Sequence, residues 1–165
     1  MLALAVVGCR KNQPSDPIAR EREARAIFEK ATQAHLLSAE VQSAEKQKLL
    51  AQAAAGYEEL LRNYGDQSLW AAQATRSLGN VRAEQGRVDD AIKLFDRVAQ
   101  KFPDQSWEIL QAWKTAGDVL WDANRRDEAR KFYKKIIDRF DKGDTPTIYK
   151  TVVRGARSRL DAAEK

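Results

Sequence analysis

The chain has 165 residues, 43% of them hydrophobic and 32% charged, with a net charge of +5. That length suits one compact domain or a short row of stacked repeats, and excludes a large multidomain enzyme. One Cys and one His exclude an internal disulfide framework and a zinc site built from those ligands alone, and no apolar run approaches the ~20 residues of a membrane-spanning helix.

The chain opens Met1-Leu2-Ala3-Leu4-Ala5-Val6-Val7-Gly8-Cys9. Val6-Val7-Gly8-Cys9 resembles the lipobox of bacterial lipoproteins: an aliphatic residue, a small or aliphatic one, Gly/Ala/Ser, then the lipidated Cys. No Lys or Arg precedes the apolar run, and eight residues before the Cys are few for a signal peptide. A true start further upstream would account for both. The resemblance implies that residues 1–9 are a truncated signal-like segment and that Cys9 becomes the lipid-bearing N-terminus. It also implies delivery to the outer membrane, facing the periplasm, since Arg10 rather than Asp follows the Cys. Residues 10–16 then read as a polar tether, with Pro14 and Pro17 opposing helix there. The alternative is a cytoplasmic N-terminus with a free thiol.

From residue 17 to 163 the composition is rich in Ala, Leu, Glu, Gln, Lys and Arg and poor in Gly and Pro, which favours helix. Hydrophobic periodicity and stop signals predict seven helices: 17–40, 44–64, 68–86, 88–102, 106–124, 126–141 and 146–163. Gly65, Gly86, Asn124 and Gly143 fall where a left-handed residue ends a helix. Ser68 and Ser106 are expected as N-caps, and Thr145-Pro146 as a cap followed by Pro at the first helical position.

Four columns recur every 38 residues: Ala53, Ala91 and Ala129; Tyr57, Phe95 and Tyr133; Tyr64, Phe102 and Phe140; Gly79, Gly117 and Gly155. Within one unit, Ala91, Phe95, Val98 and Phe102 form a single apolar stripe. Gly79 and Gly117 lie mid-helix, where Gly costs about 1 kcal/mol against Ala. Their recurrence points to close approach of a neighbouring helix. The expected architecture is all-α: three antiparallel helix hairpins stacked into a right-handed solenoid, capped by a lone C-terminal helix.

These columns resemble the tetratricopeptide repeat (TPR) family. Residues 72–105 supply Leu78, Gly79, Ala91, Phe95 and Pro103, and residues 110–143 supply Trp113, Ala116, Gly117, Ala129 and Tyr133. Residues 34–67 match only in their second helix, and Thr75, Arg82 and Asp141 depart from the pattern. With the lipobox, the chain is similar to TPR lipoproteins and periplasmic TPR proteins of bacterial envelopes. The resemblance implies a non-enzymatic scaffold that binds a protein or peptide partner in a concave groove; the alternative is a cytoplasmic adaptor without a lipid anchor.

Carried over position by position, the groove falls on Gln73, Arg76, Asn80 and Glu84, then on Gln111, Lys114, Asp118, Trp121 and Asp122. In the last helix it falls on Tyr149, with Val152, Ala156 and Arg159 in the same rows. Arg76 and Asn80 match half of the family's carboxylate clamp, but Thr115, Tyr149 and Val153 replace the other half, so no clamp is expected. Trp113 is expected in the core, and Trp70 and Trp107 in packing between repeats. Trp121 lies eight residues after Trp113, about 80° around the helix, beside Asp118 and Asp122. It reads as a binding anchor or as packing against the last helix.

Catalytic signals are weak. There is no Ser-His-Asp set and no Gly-rich phosphate loop, so no cofactor is expected. His35 reads as a packing or surface residue, and Asp89-Asp90 and Asp127-Glu128 as complements to helix dipoles. Residues 106–165 hold 14 Lys/Arg against 10 Asp/Glu. Acidic residues are interspersed and no stacking aromatics form a recognisable module, so a solvated face is expected rather than a nucleic-acid site.

Overall fold

Asp16 starts the first helix. Its carboxylate accepts hydrogen bonds from the backbone N–H groups of Ile18 and Ala19, and Pro17 occupies a first-turn position whose N–H would have no partner. The computed structural model describes residues 16–161; Cys9 and the lipobox-like segment lie outside them. Seven helices follow: α1 (Pro17–Ser38), α2 (Ser43–Tyr64), α3 (Ser68–Glu84), α4 (Val88–Lys101), α5 (Ser106–Asp122), α6 (Arg126–Phe140) and α7 (Thr147–Asp161). Among the described residues there are no strands. No helix there is long and apolar enough to cross a membrane.

Consecutive helices pack as hairpins, α1 with α2, α3 with α4 and α5 with α6, and each hairpin packs on the next. The backbones of odd helices also approach the next odd helix, whereas the backbones of successive even helices stay further apart. The odd helices therefore form the inner wall of a curved stack and the even helices its outer wall. This is the expected helical-repeat solenoid. α7 closes the end against α5 and α6.

The repeated columns form the core. Ala53, Tyr57 and Leu60 of α2, Ala91, Phe95 and Val98 of α4, and Ala129, Tyr133 and Ile136 of α6 are all buried. The two mid-helix glycines explain how the hairpins close. A Cβ on Gly79 would lie 2.6 Å from the Phe95 ring, and one on Gly117 would lie 2.5 Å from the Tyr133 ring. The first hairpin makes its close approach from the other side: Gly56 of α2 meets Ala31 of α1, where a Cβ would come within 2.8 Å of the alanine methyl.

Gly86 (φ 76°) and Asn124 (φ 59°) take the left-handed conformation expected of them. After each, the chain closes with a pair of backbone bonds. Arg87 N–H reaches Arg82 O at 2.8 Å and Gly86 N–H reaches Ala83 O, while Arg125 N–H reaches Leu120 O at 2.8 Å and Asn124 N–H reaches Trp121 O. Other expected boundaries are corrected. Gly65 is right-handed at φ −62°, and Gly143 is not left-handed either. Gln67 and Gln105, not Ser68 and Ser106, precede α3 and α5, and neither caps with its side chain. Thr145 does not cap α7. Its hydroxyl instead donates to Phe140 O and accepts from Lys142 N–H, tying the α6–α7 loop together.

Candidate functional site

The inner wall is crossed by polar bridges between successive odd helices. His35 of α1 and Glu84 of α3 approach to 2.8 Å. Arg76 of α3 donates to Glu108 of α5 at 2.6 Å, and the Glu108 side chain is only 5% exposed. Arg76 and Glu84, both expected on the groove, are thus engaged in holding hairpins together. The Asn80 side-chain oxygen, buried between them, has no hydrogen-bond partner among the described residues. Gln73 and Gln111 are half-buried on the same wall.

Aromatic contacts run alongside. Trp70 packs on Phe28 of α1, with centroids 5.7 Å apart. Trp107 stacks on Tyr149 of α7 at 5.7 Å and 25°, and Tyr149 also meets Phe140 edge-on. Trp70 therefore packs between repeats, as expected, whereas Trp107, 38% exposed, stacks on the closing helix through Tyr149. Trp113 is buried.

At the C-terminal end the inner wall opens into a cleft of about 250 Å³ between α5 and α7. Lys114 and Asp118 of α5 form one side, Val152, Ala156 and Arg159 of α7 the other, and Tyr133 and Ile136 of α6 the base. Gly155 belongs to the α7 side, and a Cβ there would meet nothing within 4 Å. Lys114 donates to Asp118 at 2.6 Å, and the Tyr133 hydroxyl donates to the other Asp118 oxygen at 2.9 Å. Burial, reinforced by that bond to a carboxylate, raises the Tyr133 pKa above the ordinary tyrosine value.

Trp121 is half-buried beside this cleft. The Arg126 guanidinium sits 3.9 Å from its ring centroid, and that of Arg159 sits 5.1 Å away. Its ring also tilts against Tyr133. Trp121 thus makes cation–π contacts with two arginines, one of them on α7, as well as being a groove-side aromatic. Asp122 is exposed next to it.

The basic residues of the C-terminal third are largely engaged. Arg125 donates to Glu128 and to Asp89, Lys134 to Asp138, Lys135 to Asp96, and Arg139 to the Pro103 carbonyl. The geometry matches the expected solvated face of mixed sign. Among the described residues, no cluster of His, Cys, Asp and Glu could hold a metal ion.

Sequence reasoning missed Glu108 and Arg126. A Glu in the first turn of α5 looks like an ordinary dipole complement. The 38-residue column could have flagged it, because Glu108 occupies the place of Trp70, and both reach back to the preceding odd helix. Arg126 reaches Trp121 only because the left-handed Asn124 folds the chain back, a geometry that linear spacing hides.

A curved stack of helix hairpins with a bridged inner wall and a lone closing helix defines a helical-repeat scaffold. A family profile described as a tetratricopeptide repeat-like domain matches residues 20–154, and the chain belongs to that family. A comparison with curated proteins finds no match.

Proposed function

We infer that this chain works by binding, since a tetratricopeptide repeat-like domain is typically a protein-binding scaffold rather than a catalyst. We propose that this chain is a non-enzymatic scaffold of the bacterial envelope, tethered by lipid on Cys9, and that it holds a segment of a partner protein in the concave cleft between α5 and α7. The cleft carries this reading. Most of the inner wall is closed by its own bridges, whereas here an apolar base lies under Lys114, Asp118 and Arg159 with free volume above Gly155. Pre-formed helices keep the ordering cost of binding low.

Two measurements test the reading. A Cβ at Gly155 meets nothing within 4 Å, so Gly155→Leu projects its side chain into the cleft from an unhindered backbone. It should leave melting unchanged and abolish capture of the partner that wild-type protein pulls from native membranes, identified by mass. Retained capture would rule out this cleft. The anchor is tested separately by feeding cells a labelled fatty acid. Label should appear on the wild-type protein and be lost in Cys9→Ser; an unlabelled wild type would favour the cytoplasmic adaptor.

A further inference from the structure

The 38-residue period lets the two gaps between successive even helices be compared position by position. The gap between α4 and α6 is sealed. Lys135 donates to Asp96 at 2.6 Å, Arg125 to Asp89 at 2.6 Å, and Arg139 to the Pro103 carbonyl at 2.7 Å. Moved back one repeat, those bridges would join Arg97 to Glu58, Arg87 to position 51, and Lys101 to Gly65. None forms. Glu58 is taken by Arg82 of α3 instead. Position 51 is Ala51, so Arg87 has only Asp90 of its own hairpin.

The gap between α2 and α4 is consequently an open cleft of about 460 Å³, with Leu61, Leu78 and Leu94 among its lining residues. Leu78 and Leu94 are buried and form its base. Around it stand Arg62, Lys93 and Arg97, none of them in a salt bridge or side-chain hydrogen bond among the described residues, although Lys93 lies near enough to Asp90 to help lower its pKa. The two carboxylates that also line the slot, Glu58 and Asp90, are each already held by an arginine. Single unpaired cations are ordinary on a charged surface. Here three surround one slot with leucines at its base and a charged rim, at the place where the sister slot is sealed by pairs, and none of the three makes a salt bridge or hydrogen bond within the fold.

We propose that this outer slot docks an acidic amphipathic segment of a partner protein. Its apolar side chains would rest on Leu61, Leu78 and Leu94, and its carboxylates would meet Arg62, Lys93 and Arg97. A membrane surface fits less well, because a flat bilayer cannot reach buried leucines at the base of a slot between two helices. The slot lies on the opposite wall from the α5–α7 cleft and does not depend on it.

The test uses the full chain and a fluorescein-labelled synthetic 12-residue peptide, with Leu at helical i, i+3, i+4 and i+7 spacing and Glu elsewhere, followed by fluorescence anisotropy. Binding should saturate and weaken with added salt, and the same peptide with Lys in place of Glu should not bind. The triple variant Arg62→Glu, Lys93→Glu, Arg97→Glu should bind at least about tenfold more weakly with unchanged melting. A control of equal charge change, Lys131→Glu, Lys150→Glu, Arg154→Glu, should bind as wild type, and so should Gly155→Leu. Amide shifts on binding should map to α2 and α4. Absence of saturable binding, an equal loss in the control triple, or shifts confined to α5 and α7 would overturn the proposal. So would phosphatidylglycerol vesicles that bind the slot while the peptide does not.

Discussion

Gly79, Gly117 and Gly155 stand in one sequence column, yet they answer to different physics. The first two leave room for an aromatic ring from the facing helix, whereas Gly155 sits on the last helix, where no further hairpin follows among the described residues. Gly117→Leu should therefore destabilise the fold by about 1–3 kcal/mol, because the Tyr133 ring must move. Gly155→Ala should stabilise it by about 0.5–1 kcal/mol through helix propensity. Thermal melting of the two variants checks both signs. The period revealed the column but could not reveal which member lacks a facing helix. A second residue-scale prediction concerns Tyr133, whose raised pKa means that the folded state holds the phenolic proton more tightly than the ordinary value of 10.0 allows. The stability this contributes is fully present below pH 10.0 and is lost as pH rises from there toward the folded pKa. Wild-type melting should fall between neutral pH and pH ~11, and Tyr133→Phe should lose less over the same interval. An equal loss in the two proteins would place the alkaline sensitivity elsewhere.

Helix ends show what local sequence does and does not determine. Gly86 and Asn124 were readable because each ends a strongly periodic run and is followed, within a few residues, by a new amphipathic one; both carry positive φ. Gly65 and Gly143 looked alike in sequence but do not turn left, since the chain leaves α2 and α6 by other routes. Ser68, Ser106 and Thr145 were misread for a related reason. A Ser or Thr near a helix start is a cap only when its backbone is extended, and that is set by how the preceding loop arrives. Ser43, left-handed at φ 55°, carried no signal at all. At this scale Asn124 gives the prediction. Asn124→Ala should cost about 1–2 kcal/mol, because alanine is strained in the left-handed region, whereas Asn124→Gly should be neutral or stabilising. Melting curves of the pair decide it, and equal destabilisation by both would mean that the Asn side chain, not its backbone, matters.

Across the molecule, repeats touch only their neighbours, so the joints between hairpins set how far a local disturbance travels. The joint between the second and third hairpins includes the Arg76–Glu108 pair, and the acid there is almost wholly buried. Hydrophobic periodicity made the hairpins and their stacking legible, since both follow from apolar stripes. It could not show this pair, because an ion pair across 32 residues leaves no periodic trace. Glu108→Ala would strand Arg76, whose side chain keeps 25% of its exposure and can partly rehydrate. The expected cost is about 2–3 kcal/mol, below that of a fully buried pair. Replacing both, Arg76→Leu with Glu108→Leu, should cost less than the single change, because no unpaired charge remains at the joint. The location of the damage is the sharper readout. In Glu108→Ala, amide hydrogen exchange should quicken in α5, α6 and α7 while α1 and α2 keep wild-type protection, because the stack comes apart at the weakened joint. Uniform quickening along all seven helices would instead mean that the solenoid unfolds as one unit and that the bridge adds to global stability without defining a boundary.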